Sequence, residues 1–190
     1  MITVSTSTEA SRAYHHGDLR SALIEAGMKA LETTDPGEIS LRQLAREVGV
    51  SATAVYRHFP DKRALLTALA DAGLVMLSEA QHAASDAAGG GGAGFAATGR
   101  AYVHFAIAHP GLFRLIYTHT GTPDRPQLSD DNPAAILLRA NAKALSGGDA
   151  SERTLLVRSW AIAHGLAMLI LDGHLPADDA LIEAAMPSKK

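Results

Sequence analysis

Residues 39 to 62 read Ile-Ser-Leu-Arg-Gln-Leu-Ala-Arg-Glu-Val-Gly-Val-Ser-Ala-Thr-Ala-Val-Tyr-Arg-His-Phe-Pro-Asp-Lys. This stretch constrains the chain more than any other. Leu41, Leu44, Ala45 and Val48 fall on one helical face. Ser40 stands at the expected N-cap, and Gln43 three residues on completes the pattern of a capping box. Gly49 ends the helix, because glycine enters the left-handed C′ conformation without a Cβ clash. Val50 follows as a buried pin, and Ser51 caps a second helix over Ala52 to Phe59. Pro60 stops it by removing a donor and by biasing Phe59 away from helix. Helix, glycine turn and short second helix form the pattern of a helix-turn-helix reader of DNA. Ordinary helical proteins use the same turn, so the pattern by itself also fits a helical interaction module that binds no DNA.

The residue identities add to the pattern. Leu-Arg-Gln-Leu-Ala-Arg-Glu-Val-Gly-Val-Ser, Ala-Val-Tyr-Arg-His-Phe and Asp-Lys-Arg-Ala-Leu-Leu resemble the DNA-binding domain of TetR-family transcriptional regulators. Tyr-His-His-Gly-Asp-Leu-Arg-Ser-Ala-Leu at 14 to 23 is similar to the opening of the first helix in one branch of that family, so the resemblance runs from about Tyr14 to Leu69. Trp160-Ala-Ile-Ala-His164-Gly165, with Asp172-Gly173, resembles a C-terminal domain of a subset of the family named for Trp, His and Gly.

Composition sets the remaining bounds. The chain has 190 residues, 47% of them hydrophobic but only 5% aromatic, which predicts a core built mainly from Ala and Leu. The absence of cysteine excludes disulfides, thiolate metal sites and cysteine nucleophiles. The polar start of the chain has no signal-peptide pattern, and the apolar run from Trp160 to Leu171 is shorter than the ~20 residues of a spanning helix. The expectation is a cytoplasmic protein with no membrane partner. Net charge is −3, and residues 9 to 65 hold eight basic against eight acidic side chains. Any positive face must therefore arise from placement rather than totals.

Periodicity predicts further helices. One runs from an Asp18 cap to about Leu31 and another from an Asp61 cap to the low eighties. Others are expected over Phe95 to His109, Gly111 to Tyr117, Pro133 to about Leu145, Ser151 to Leu171 and Ala180 to Ala185. Residues 1–13 read as a disordered arm, in which Arg12 is taken as part of a free tail. The glycine run at 87 to 94 reads as a flexible linker, and Thr118 to Asn132 as loop. The helix over 151–171 carries two apolar stripes, Leu155, Ser159, Ile162, Leu166, Leu169 and Leu156, Trp160, Ala163, Ala167, Ile170. Two stripes require partners on two sides, and the same helix of a second subunit is a fitting partner for one of them.

The expected fold is therefore all-α. A three-helix helix-turn-helix domain at 14–60 is joined by a long helix to a helical ligand-binding and dimerisation bundle at 61–190. The candidate DNA contacts are Ser40, Arg42 and Gln43 on the first helix of the motif, Ser51, Ala52, Thr53, Ala54 and Arg57 on the second, and Tyr56, His58 and Lys62. Small Ala52 and Ala54 admit close approach, Thr53 offers a hydroxyl and a methyl, and Arg57 can fork onto guanine or grip a phosphate. The resemblance implies that Tyr56 and His58 contact the DNA backbone, that Lys62 contacts phosphate, and that Arg42 reaches a base or phosphate. It also implies a homodimer on a palindromic operator, repression, and release by a small-molecule effector. The polar and aromatic residues offered for an effector pocket are Tyr102, Phe105, Phe113, Tyr117, Trp160 and His164.

No catalytic residues and no cofactor are expected. Gly-x-Ser-x-Gly, a phosphate-binding glycine loop and His-Glu-x-x-His are all missing from the sequence. A metal-responsive regulator is the remaining alternative. His82, His104, His109, His119, His164 and His174 supply imidazoles, but no pair has the i, i+4 spacing of a helical metal site.

Overall fold

The computed structural model describes residues 19–119 and 132–186. The expected arm at 1–13 with Arg12, the Asp18 cap, and most of the loop expected at 118–132 lie outside these residues. Among the described residues every regular element is helical.

Helix α1 (Leu19–Ala30) turns Leu19 and Leu23 into the core, and a short 3-10 turn at Pro36–Glu38 leads to α2 (Leu41–Val48) and α3 (Ala52–His58). Gly49 adopts φ 78° between them. The Val50 N–H donates to Ala45 O at 2.9 Å, so an end carbonyl of α2 is satisfied by the turn itself. Val50 is half-buried against the core rather than fully enclosed. The Ser51 hydroxyl caps α3 by accepting from the Ala54 N–H at 3.2 Å. Ser40 occupies the N-cap position of α2, but its side chain makes no capping bond. Gln43 donates instead to Glu47 one turn further on, at 3.1 Å, so the expected capping box is not formed. Phe59 lies just beyond α3 with extended backbone, as the following proline requires.

Helix α4 (Lys62–Ala87) starts at an Asp61 cap, whose carboxylate accepts from the Ala64 N–H at 2.7 Å. It packs against α1 at its beginning and then against α5 (Gly91–Ala108), α6 (Pro110–His119) and α7 (Pro133–Leu145). Helix α8 (Asp149–Leu171) lies on α5 and α7, and α9 (Asp179–Ala185) closes against α5. Arg100 fastens that closure through Glu183 at 3.0 Å and the Met186 carbonyl at 2.9 Å.

The glycine run is not the flexible linker expected from composition. Gly89, Gly90 and Gly91 take φ of 78°, 71° and 58° and turn the chain sharply after α4. Helix α5 begins at Gly91, inside the run, rather than at Phe95. At Gly94 a Cβ would lie 2.7 Å from the Ser85 hydroxyl, so the bare Cα lets α5 seat directly on α4. The glycines form a tight helix–helix corner.

Helices α4 and α8 are both long and apolar enough to cross a membrane by length and composition, α8 being longer than its apolar run suggested. In this bundle α4 lies largely buried against α5 and α6. Helix α8 buries one side, Leu156, Ala163, Leu166, Ala167 and Ile170, and exposes Val157, Ile162 and Leu169. The second predicted stripe is thus the one that faces the core, except that Trp160 is half-buried. Leu166 joins it from the first stripe.

Candidate functional site

Helix α3 is anchored by Val55 and Phe59, which are buried against the core of the first three helices. Arg20 of α1 lies over the Phe59 ring, its guanidinium carbon 5.4 Å from the ring centre. With Val55 held inward, helical periodicity turns Thr53 and Arg57, one turn apart, to the far side of α3. Tyr56 and His58 flank them. All four are exposed, Tyr56 by 43%. Ala52 and Ala54 are half-buried, and Ala54 packs against the core, which limits its reach outward.

On α2, Ser40, Arg42 and Gln43 are exposed beside this face, and so is Ser51 at the start of α3. Lys62 is half-buried, and its ammonium donates to the Gly37 carbonyl in the turn before α2. That bond ties the start of α4 to the motif and leaves the ammonium two further donors.

The second candidate site lies in the C-terminal bundle. A cavity of about 640 Å³ opens between α4, α5, α6, α7, α8 and the end of α9. This is within the ~300–1,000 Å³ range of small-molecule sites. Tyr102, Tyr117 and Trp160 line it. Phe105, Phe113 and His164 do not reach its wall among the described residues. Phe113 is fully buried behind it, and Phe105 packs on His109 with ring centres 5.0 Å apart. His164 stands one layer back, its Nδ1 2.9 Å from the Tyr102 hydroxyl. The Tyr102 and Tyr117 hydroxyls bond to each other, and both rings pack on Phe113 and His164. Burial lowers the proton affinity of His164 below its ordinary 6.5. Burial also raises that of Tyr102 and pushes Tyr117 up to about 12. The trio is therefore neutral at neutral pH.

Sequence reasoning missed much of the cavity wall: Gln81 on α4, Phe95, Thr98 and Gly99 on α5, and Arg158 on α8. One signal for Gln81 was available. It continues the apolar face of Leu74 and Leu77 at helical spacing, where a polar side chain is out of place. Among the described residues no three His, Asp or Glu side chains come together as a metal site would require.

The exposed face of α3, held by a buried underside and a glycine turn, defines a class: an all-helical transcription regulator with a helix-turn-helix DNA-binding module. Residues 23–69 match the family described as bacterial regulatory proteins of the tetR family, and residues 95–187 match the tetracyclin repressor-like C-terminal domain. A Rhodococcus sp. RHA1 protein of unknown function is 36% identical. Its structure superposes with a TM-score of 0.77 over 92% of this chain and 95% of its own. A tetR-family transcriptional regulator from Streptomyces coelicolor is 20% identical with a TM-score of 0.63, over 88% of this chain and 76% of its own. A TetR transcriptional regulator from Rhodococcus sp. RHA1 is 15% identical with a TM-score of 0.56, over 90% and 96%. At those identities the last two carry the fold alone. The chain belongs to the TetR family of transcriptional regulators. It is thus a regulator and not an enzyme.

Proposed function

We propose that this protein is a cytoplasmic repressor that binds a palindromic operator as a homodimer and leaves it when a small molecule fills the C-terminal cavity. The observation that carries this reading is the outward face of α3. Thr53 and Arg57 are exposed there to meet base edges in a major groove, and the exposed Tyr56 and His58 beside them are assigned to the DNA backbone. Lys62, at the first turn of α4, adds a cation where the helix N-terminus already favours an anion. Ser40, Arg42, Gln43 and Ser51 form the neighbouring rim, from which they contact the backbone or an adjacent base. We divide the chain into a reading domain at 14–60 and a sensing and dimerisation domain at 61–190, with α4 as the lever between them.

The face of α8 supports the dimer. Ile162 and Leu169 are 46% and 44% exposed, and Gly165 lies between them at helical spacing. A Cβ at Gly165 would meet nothing within 4 Å, so no neighbour among the described residues requires the glycine. A glycine inside a helix costs about 1 kcal/mol relative to alanine. A second α8 crossing closely at that point offsets the cost, and α9 of each subunit is the further helix of an intersubunit four-helix bundle.

The ligand acts by binding the operator-free state more tightly, and by linkage DNA weakens ligand binding by the same factor. Selection of bound duplexes from a random pool by the purified protein tests the DNA reading. An enriched palindrome with half-sites about one helical turn or more apart is expected. A folded protein that enriches no sequence, with or without candidate ligands, would overturn it.

A further inference from the structure

The cavity wall changes character from floor to mouth. Leu74 and Tyr102 are almost fully enclosed, whereas Leu145 on α7 and Arg158 and Ile162 on α8 are exposed. The mouth therefore lies between the end of α7 and the middle of α8. Along α5 the wall runs from Gly92 to Tyr102, roughly 15 Å at 1.5 Å per residue. Phe95, Leu138, Leu155 and Trp160 help to make it mainly apolar. Polar groups on the inner wall are already engaged. The Thr98 hydroxyl donates to the Phe95 carbonyl at 2.7 Å, and the Tyr102 hydroxyl holds Tyr117 and His164. Arg158 is the only charged side chain among the described wall residues. The ion pairs among the described residues involve Arg100, His104 and Arg114, which leaves Arg158 without a carboxylate there. Its planar guanidinium fork matches a carboxylate. At the mouth an anion that meets it keeps part of its water, whereas an unpaired charge on the floor is desolvated.

We infer that the cavity takes an elongated amphiphilic acid, its single carboxylate held by Arg158 at the mouth and its apolar tail laid along α5 toward Leu74 and Tyr102. This names the ligand class of the proposed effector site and rests on that reading. A cationic head finds no counter-ion on the described wall and meets Arg158 at the mouth. A neutral amphiphile fills the same apolar length but leaves the guanidinium unused. A molecule charged at both ends buries one charge on the floor without a partner.

Four probes test this on the full-length protein: decanoate, methyl decanoate, decyltrimethylammonium and butyrate. Trp160 is the single tryptophan and lies on the cavity wall, so its emission reports occupancy, with calorimetry as the second readout. Decanoate should bind about five- to tenfold more tightly than its methyl ester. Butyrate, which keeps the head and loses most of the tail, should bind more than about a hundredfold more weakly than decanoate. Because Arg158 is exposed, its variants should keep the wild-type Tm. Arg158→Gln should bring decanoate and the ester within about twofold of each other. Arg158→Lys should retain most of the preference, and Arg158→Glu should turn it toward decyltrimethylammonium. Equal affinity of decanoate and ester for the wild type, tighter binding of the cation, or a preference for decanoate that survives in Arg158→Gln would overturn the inference. If the ester binds as well as decanoate and also releases the selected operator duplex, the acid-head inference fails and the effector reading stands. If decanoate binds with the expected preference but leaves the duplex in place, the effector reading fails alone. If no probe binds by either readout, the two fail together.

Discussion

Tyr56 and Lys62 sit along the same proposed phosphate track but differ in what they contribute. Replacing Tyr56 by Phe removes a hydroxyl and no charge. Operator affinity should fall by about 1.5–3 kcal/mol if that hydroxyl bonds a phosphate, with the salt dependence unchanged. Lys62→Gln removes a charge and should flatten the salt slope by about one. Fluorescence anisotropy across a salt series distinguishes the two, and a Tyr56→Phe protein with full affinity would remove Tyr56 from the interface. Behind the cavity, His164 and the tyrosines predict a stability plateau. With His164 depressed, the unfolded chain takes up that proton first, so its contribution is intact above about pH 6.5 and shrinks as pH falls. With Tyr102 and Tyr117 raised, the unfolded chain ionises first above about pH 10, and stability falls as pH rises past that point. Urea titrations from pH 5 to 8 should show a shallower acid decline for His164→Gln than for wild type. Identical slopes would contradict the role given to His164. Residue-scale detail was the least legible in the sequence. Gln81 has no motif around it, and its meaning depends on Thr98 lying across a helix interface that only the folded chain brings together.

Helix α6 links the two parts of the molecule. Its first turn abuts the end of α1, where a Cβ on Gly111 would come 2.8 Å from the Leu31 backbone oxygen. Its last turn carries Tyr117 into the cavity wall. Arg114 ties its middle to Asp172, after α8, at 2.6 Å. Gly111→Ala gains at most about 1 kcal/mol of helix propensity. The clash is with backbone, which cannot rotate away, so a net loss of about 1–3 kcal/mol is expected by thermal unfolding. An unchanged or raised Tm would show that α6 has slack at this joint. Helix α8 gives a second prediction at this scale. Leu169→Glu places a charge on the exposed stripe away from the cavity wall and should shift the protein to monomer in sedimentation equilibrium with its helix content kept. A dimer of unchanged affinity would relocate the interface. Element positions were largely readable, because Gly49, Ser51, Pro60, Asp61 and Pro133 act locally through caps, starts and stops. Where sequence and structure part, at the start of α5 and at the Ser40 cap, the close seating of Gly94 on Ser85 and the bond from Gln43 to Glu47 decide the outcome.

At the scale of the whole molecule, one hydrophobic core runs from Leu19 to Ile182. The proposed release by a ligand needs a change at the cavity to reach the base of the reading helices, and α4 and α6 pack against both parts. The family and the all-helical class were legible from three consecutive helices with matching spacing. The cavity was not, since its wall draws on residues more than a hundred positions apart. The central claim is that the outer face of α3 reads sequence. The most direct measurement is the affinity of wild type and of a Thr53→Ala, Arg57→Ala double variant for the selected duplex and for a scrambled one. The variant should keep its Tm and its binding to scrambled DNA but give up most of its preference for the selected sequence, about 1–3 kcal/mol for each base it no longer reads. A variant that still discriminates between the two duplexes as strongly as wild type would contradict this reading of α3.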